Sequence, residues 1–166
     1  MFLIDSKGGT HSMRTIAEDV SYQILRKLMP RKRNLYLDID ITNTLKEGAY
    51  GFAYTVPDDD GGGNFSYIEI ENKPSSLWTF VETLCHECVH IKQYERNEIK
   101  EARGKTMWKG EDHTDTTYYQ QPWEKEAFGM QKELAQWYLS EKGISMALAK
   151  RTHVRQKQVL KMLDLD

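Results

Sequence analysis

The run His86-Glu87-Cys88-Val89-His90 constrains this chain more than any other stretch. On an α-helix, residues four apart stand one above the other, so the two imidazoles can bind a single metal ion. Glu87, about 100° round the helix from His86, would reach a water on that ion rather than the ion itself. The flanking residues agree with a helix. At about 100° per residue, Leu77, Val81, Leu84, Cys85 and Cys88 share one face and the two histidines fall roughly opposite. The motif is therefore expected on the non-core side of a buried helix, one that starts after Pro74-Ser75-Ser76 with a serine cap and runs out between Tyr94 and Asn97.

Length and composition limit what can surround this helix. A chain of 166 residues suits one domain with a real hydrophobic core. The formal charge of -2 and sequence pI near 6.2 give no whole-molecule reason to bind nucleic acid or anionic membrane. The two cysteines, Cys85 and Cys88, lie on the apolar face of the motif helix and read as buried thiols, since no second pair exists to build a four-sulfur site. No apolar run approaches the roughly 20 residues that span a bilayer, and Met1-Phe2-Leu3-Ile4 is too short for a signal segment. These features point to a cytoplasmic protein without a membrane partner, a small bacterial or phage-encoded chain being compatible with them.

Periodicity supplies the other elements. Ile16, Val20, Ile24, Leu25 and Leu28 predict an amphipathic helix from about Thr15 to Met29, stopped by Pro30. Leu35, Leu37, Ile39 and Ile41 alternate with polar or tyrosine positions, as in a half-buried strand. Further strands are expected over Ala49–Val56 and Asn64–Glu71, joined through Pro57-Asp58-Asp59-Asp60-Gly61-Gly62-Gly63. The aspartates of that joint lack the ligand spacing of a calcium loop, so it reads as a hairpin tip. Between Glu95 and Gln121 the chain makes a polar excursion. Pro122 then opens a helix to about Glu141, with Gly143 as its stop. The fold class is α+β: a small three- to four-stranded twisted sheet packed on an N-terminal helix and the metal-motif helix, followed by a second ligand-bearing helix and a C-terminal helix.

A catalytic zinc site usually takes three protein ligands and a water, so one ligand remains to be found. Gln93 and Arg96 stand where a metzincin would need glycine and histidine. On the helix after Pro122, Glu126 falls near Trp123, Met130, Leu134 and Trp137, and a carboxylate among such residues needs a cation. His113 and Glu124 are the alternatives. His113, Tyr118 and Tyr119, just before this helix, could each donate to the oxyanion of a tetrahedral intermediate.

With these residues assembled, the chain resembles the gluzincin metallopeptidases, and in particular the very small minigluzincins, over about residues 67–138. The resemblance rests on His86-Glu87-Cys88-Val89-His90 and on Glu126-Ala127 within Pro122-Trp123-Glu124-Lys125-Glu126-Ala127. It implies His86, His90 and Glu126 as zinc ligands and Glu87 as general base. Where related enzymes carry an aspartate four residues after the ligand glutamate, this chain has Met130, so the histidines must be oriented from elsewhere.

The expected activity is zinc-dependent hydrolysis of peptide bonds by a water that Glu87 activates, with His113 and Tyr119 as further catalytic candidates. An extended peptide or protein substrate would add to a sheet edge, for which the strand Asn64–Glu71 is the candidate. Residues 1–143 would form the peptidase domain and 144–166 a basic helical tail carrying Lys150, Arg151, Arg155, Lys157 and Lys161. The competing function is a regulatory, metal-stabilised module that binds nucleic acid or a protein partner through that tail.

Overall fold

The computed structural model describes residues 1–46 and 48–166. The expected α+β arrangement is present: a four-stranded mixed sheet carries the principal helices on one face. Strand β1 (Phe2–Gly8) leads into helix α1 (His11–Leu28), which returns the chain to β2 (Leu35–Thr42), parallel to β1. Strands β3 (Gly51–Pro57) and β4 (Asn64–Glu71) form a hairpin that inserts β4 beside β2, giving the order β1-β2-β4-β3. Asp58 closes the hairpin tip, its carboxylate accepting from the backbone N–H groups of Asp60 (3.3 Å) and Gly62 (3.2 Å). The aspartates there serve a turn.

This order changes the expected substrate edge. Asn64–Glu71 is interior to the sheet, and Gly51–Pro57 is the edge strand. Strand β1 was not anticipated from the polar start of the chain; it pairs with β2 along Phe2 to Gly8 and buries no large run of its own.

Helix α1 starts where Thr10 accepts from Met13 N–H and buries Met13, Ile16, Ala17, Val20, Ile24 and Leu25. Helix α2 (Leu77–Glu95) has Ser76 as its cap, accepting from Thr79 N–H at 3.2 Å. Its predicted apolar face is fully buried, both cysteines included. Its other face differs from expectation, because helix α3 (Pro122–Glu141) and strand β3 cover it. His86, Glu87 and His90 are all buried as a result. Tyr138 ties α3 to α1, its hydroxyl donating to Asp19 Oδ2 at 2.6 Å, and Lys142 pairs with the same carboxylate.

The polar excursion is a three-stranded meander, β5 (Ile99–Ala102), β6 (Lys105–Trp108) and β7 (Glu111–Asp112). Its two hairpin turns, Arg103-Gly104 and Lys109-Gly110, have positive φ at both residues, the geometry that tight two-residue hairpins need. Ile99, Trp108 and Trp123 form a second apolar cluster that fastens the meander to the start of α3.

The C-terminal stretch does not stand apart as a solvated helix. It contains two short helices, α4 (Met146–Arg151) and α5 (Gln158–Met162), and buries Ala149, Val154, Val159 and Leu163 in the main core. Ser12 Oγ donates to Val154 O and Leu77 N–H donates to Thr152 O, so residues 144–166 complete the same core as residues 1–143. Two of its cations are engaged: Lys150 lies over the Trp78 ring and Arg155 donates to Asn72 O. Among the described residues, no helix is long and apolar enough to cross a membrane.

Candidate metal centre

His86 and His90 project from consecutive turns of α2 toward the first turn of α3, where Glu124 meets them. His86 Nε2 lies 3.2 Å from Glu124 Oε2, His90 Nε2 lies 3.3 Å from Glu124 Oε1, and the two Nε2 atoms are 3.1 Å apart. Two donors each about 2.1 Å from one ion at a tetrahedral angle stand about 3.4 Å apart, close to these separations, although they involve both oxygens of Glu124. Glu124 is in the first helical turn, with Pro122 at its start, where the helix dipole favours a carboxylate.

The protons around the cluster argue in the same direction. Gln93 Nε2 donates to Trp123 O at 3.0 Å, and a carbonyl can only accept, so Gln93 Oε1 must face His90. His90 Nδ1–H therefore donates to Gln93 Oε1 at 2.8 Å, and its Nε2 lone pair is turned toward Glu124. Gln131 Oε1 sits 2.8 Å from His86 Nδ1 in the equivalent role. The His90 lone pair and the Glu124 carboxylate thus converge beside His86 Nε2, an arrangement that a cation would stabilise. Burial raises the Glu124 carboxyl, but hydrogen bonds and charge from the imidazoles outweigh it and hold it at about 2.

The structure thus brings Glu124, and not the expected Glu126, to the two histidines. Glu126 is paired with Lys92, which also reaches Glu98 at 3.0 Å. The reason is the rotation of α3. Its large side chains Trp123, Met130, Leu134 and Trp137 suggested a core stripe next to Glu126, whereas its buried face also takes in Glu124, Ala127, Ala135, Tyr138 and Leu139. Ala127, Ala135 and Glu124 are all buried, and Glu124 meets the α2 histidines. Its following residue is Lys125, so the Glu126-Ala127 pair quoted for the resemblance does not supply the donor. Four residues after Glu124 stands Phe128, whose ring packs edge-on against His86 at 4.7 Å.

Glu87 is placed as the motif requires, buried beside the histidines and under strand β3. A Cβ on Gly51 would lie 2.6 Å from Glu87 Oε1, so the glycine leaves the space this carboxylate fills. Burial pushes the Glu87 carboxyl up to about 8, with His86 pulling it down and Glu124 adding to the rise. A cation among the donors would draw it back toward the ionised form.

Of the three oxyanion candidates, Tyr118 is at the cluster. Its hydroxyl donates to Glu124 Oε2 at 3.1 Å, and burial together with that carboxylate raises its pKa, so the phenol stays protonated. Tyr119 is 79% exposed and lines the rim of the cavity beside Tyr118 without a hydrogen bond to the donors, while His113 is held by Thr116 and stands edge-on to Trp123. Neither adjacent tyrosine was distinguishable from sequence. The two glutamines were missed as well; a polar residue three positions after a metal-site histidine on one helix, as Gln93 is, was the available signal.

Two cavities of about 670 and 630 Å³ meet at this cluster and share Gly48, Ala49, Gly51, His86, Glu87 and Tyr118. Together they form a groove that passes between edge strand β3 and the Tyr118–Gln121 segment, with the donors on its floor. The residues present therefore make a buried His86, His90 and Glu124 cluster that could hold a metal ion. Compared with protein-family models, curated proteins and solved structures, the chain matches none.

Proposed function

We propose that the chain is a zinc-dependent peptidase, of the kind its motif resembles, that hydrolyses peptide bonds in extended polypeptide. The observation that carries this reading is the buried convergence of His86, His90 and Glu124, with Glu87 beside them on the floor of an open groove. Two imidazoles and one carboxylate are a donor set suited to zinc. Zinc held there would polarise a carbonyl oxygen and acidify a water.

The chain's own groups do the rest. Glu87 takes a proton from the water as its oxygen bonds to the carbonyl carbon, then delivers a proton to the amine as the C–N bond breaks. Tyr118 offers a protonated hydroxyl where oxyanion charge develops. The free edge of β3 borders the groove and would align the substrate by backbone pairing, fixing the scissile bond over Glu87.

The test is digestion of unstructured casein by metal-stripped chain reconstituted with zinc, beside the Glu87→Gln variant. Fragments from the wild type, and none from a variant that retains zinc, are expected. Equal cleavage by the variant would exclude Glu87 as the base, and a wild type that binds zinc without cleaving any chain would leave a metal-stabilised module in place of a peptidase.

A further inference from the structure

The outer face of the four-stranded sheet carries three registered rows of side chains on the side away from α1 and α2. In the first row Leu3, Tyr36, Phe65 and Val56 stand side by side, between 38% and 47% exposed. In the second, Asp5 and Asp38 lie next to the stacked rings of Tyr67 and Tyr54, whose centroids are 4.9 Å apart. In the third, Lys7 pairs with Asp40 at 3.5 Å, followed by Glu69 and exposed Phe52.

Two features of this face oppose stability. Strands β1, β2 and β4 are parallel, and parallel sheets ordinarily have both faces covered. Asp5 beside Asp38, and Asp40 beside Glu69, place like charges on neighbouring strands, which is unfavourable. The carboxylates surround a concavity of about 320 Å³ that Tyr54 and Tyr67 also line. Carboxylates set around tyrosine faces are a receptor for an ammonium or guanidinium group. The adjacent apolar row would take the side chains flanking that cation.

From this charge complementarity we propose that the outer sheet face docks a basic, apolar-flanked segment of a partner protein. Four carboxylates against one lysine exclude nucleic acid and anionic lipid as the occupant. A second copy joined by a two-fold axis would set this acidic face against itself, so self-association is disfavoured. The face lies across the sheet from the metal cluster, and the inference stands whether or not the cluster is catalytic.

The experiment is titration of the ¹⁵N-labelled full chain with a short peptide alternating arginine and leucine, and with its glutamate and leucine counterpart. Shifts confined to β1, β2, β3 and β4 with the basic peptide alone, weakened by salt, are expected. Asp5→Asn with Asp38→Asn should weaken binding about 3- to 10-fold. The same pair removes a repulsion and should raise the melting temperature, which separates lost binding from lost fold. Tyr36→Ser with Phe65→Ser should also weaken it, with zinc content unchanged. Equal binding of both peptides, no binding, shifts elsewhere, or concentration-dependent dimerisation through this face would each overturn the proposal.

Discussion

Glu124 and Glu126 leave the first turns of α3 two residues apart, and each meets a buried group on α2. Glu124 finds His86 and His90, and Glu126 finds Lys92. Lys92 brings its own positive charge and shares it between Glu126 and Glu98, so that cluster is complete within the chain. Among the described residues the imidazole cluster has no such resident cation: His90 commits its Nδ1 proton to Gln93 and turns its Nε2 lone pair toward the Glu124 carboxylate, beside His86 Nε2. One helix pair thus holds a structural ion cluster and, beside it, a site that could hold a metal ion. Burial of a carboxylate does not separate the two cases; the chemistry of what it faces does.

The comparison can be broken most severely at the base. Glu87→Gln should lower peptide hydrolysis by about 10²–10⁴-fold, measured on a quenched peptide, while zinc content stays at the wild-type value. Gln93→Ala should weaken zinc binding by about 10–100-fold in a chelator competition, since Gln93 both orients His90 and ties α2 to Trp123 O beside Glu124. Gln131→Ala should do less, because Gln131 is only partly buried and touches one histidine. Glu126→Ala belongs to the other cluster: it should cost about 1–2 kcal/mol in urea unfolding, because Lys92 keeps Glu98, and should leave zinc affinity unchanged.

A smaller effect sharpens the comparison through pH. The ordinary glutamate pKa here is 4.5, and that of Glu87 is raised to about 8 in the folded, metal-free chain. Between those values the folded state holds a proton that the unfolded state has released, so metal-free stability should fall as pH rises from about 4.5 to 8. Glu124 has the opposite sign. Held at about 2, it contributes stability above its ordinary value of 4.5 that is lost as pH falls toward 2. Melting of the metal-free chain across the upper window should show the decline, and Glu87→Gln should flatten it.

Helix α2 was legible in the sequence because everything that defines it is local: the Ser76 cap, the apolar period and the paired histidines lie within one helix. The hairpin β3–β4 was legible for the same reason, its turn residues standing between two alternating runs. What escaped depends on contacts between distant segments. Strand β1 exists by pairing with β2 across α1, and the core role of residues 144–166 depends on α1 and α2. Glu126 was expected beside the histidines because large side chains were taken to mark the buried face of α3, when that face also takes in Glu124 and the small residues Ala127 and Ala135. The alternating Xaa-Gly turns of the meander were present in the sequence but frame strands too short to show a period.

The measurement that goes most directly to the contrast between the two clusters is zinc content of the purified, reconstituted chain by elemental analysis, for wild type, Glu124→Ala and Glu126→Ala. About one zinc per chain is expected in the wild type and in Glu126→Ala, and a loss of stoichiometric zinc in Glu124→Ala. Zinc retained by Glu124→Ala and lost from Glu126→Ala would contradict the assignment, and a wild type that takes up no zinc would contradict the metal centre itself.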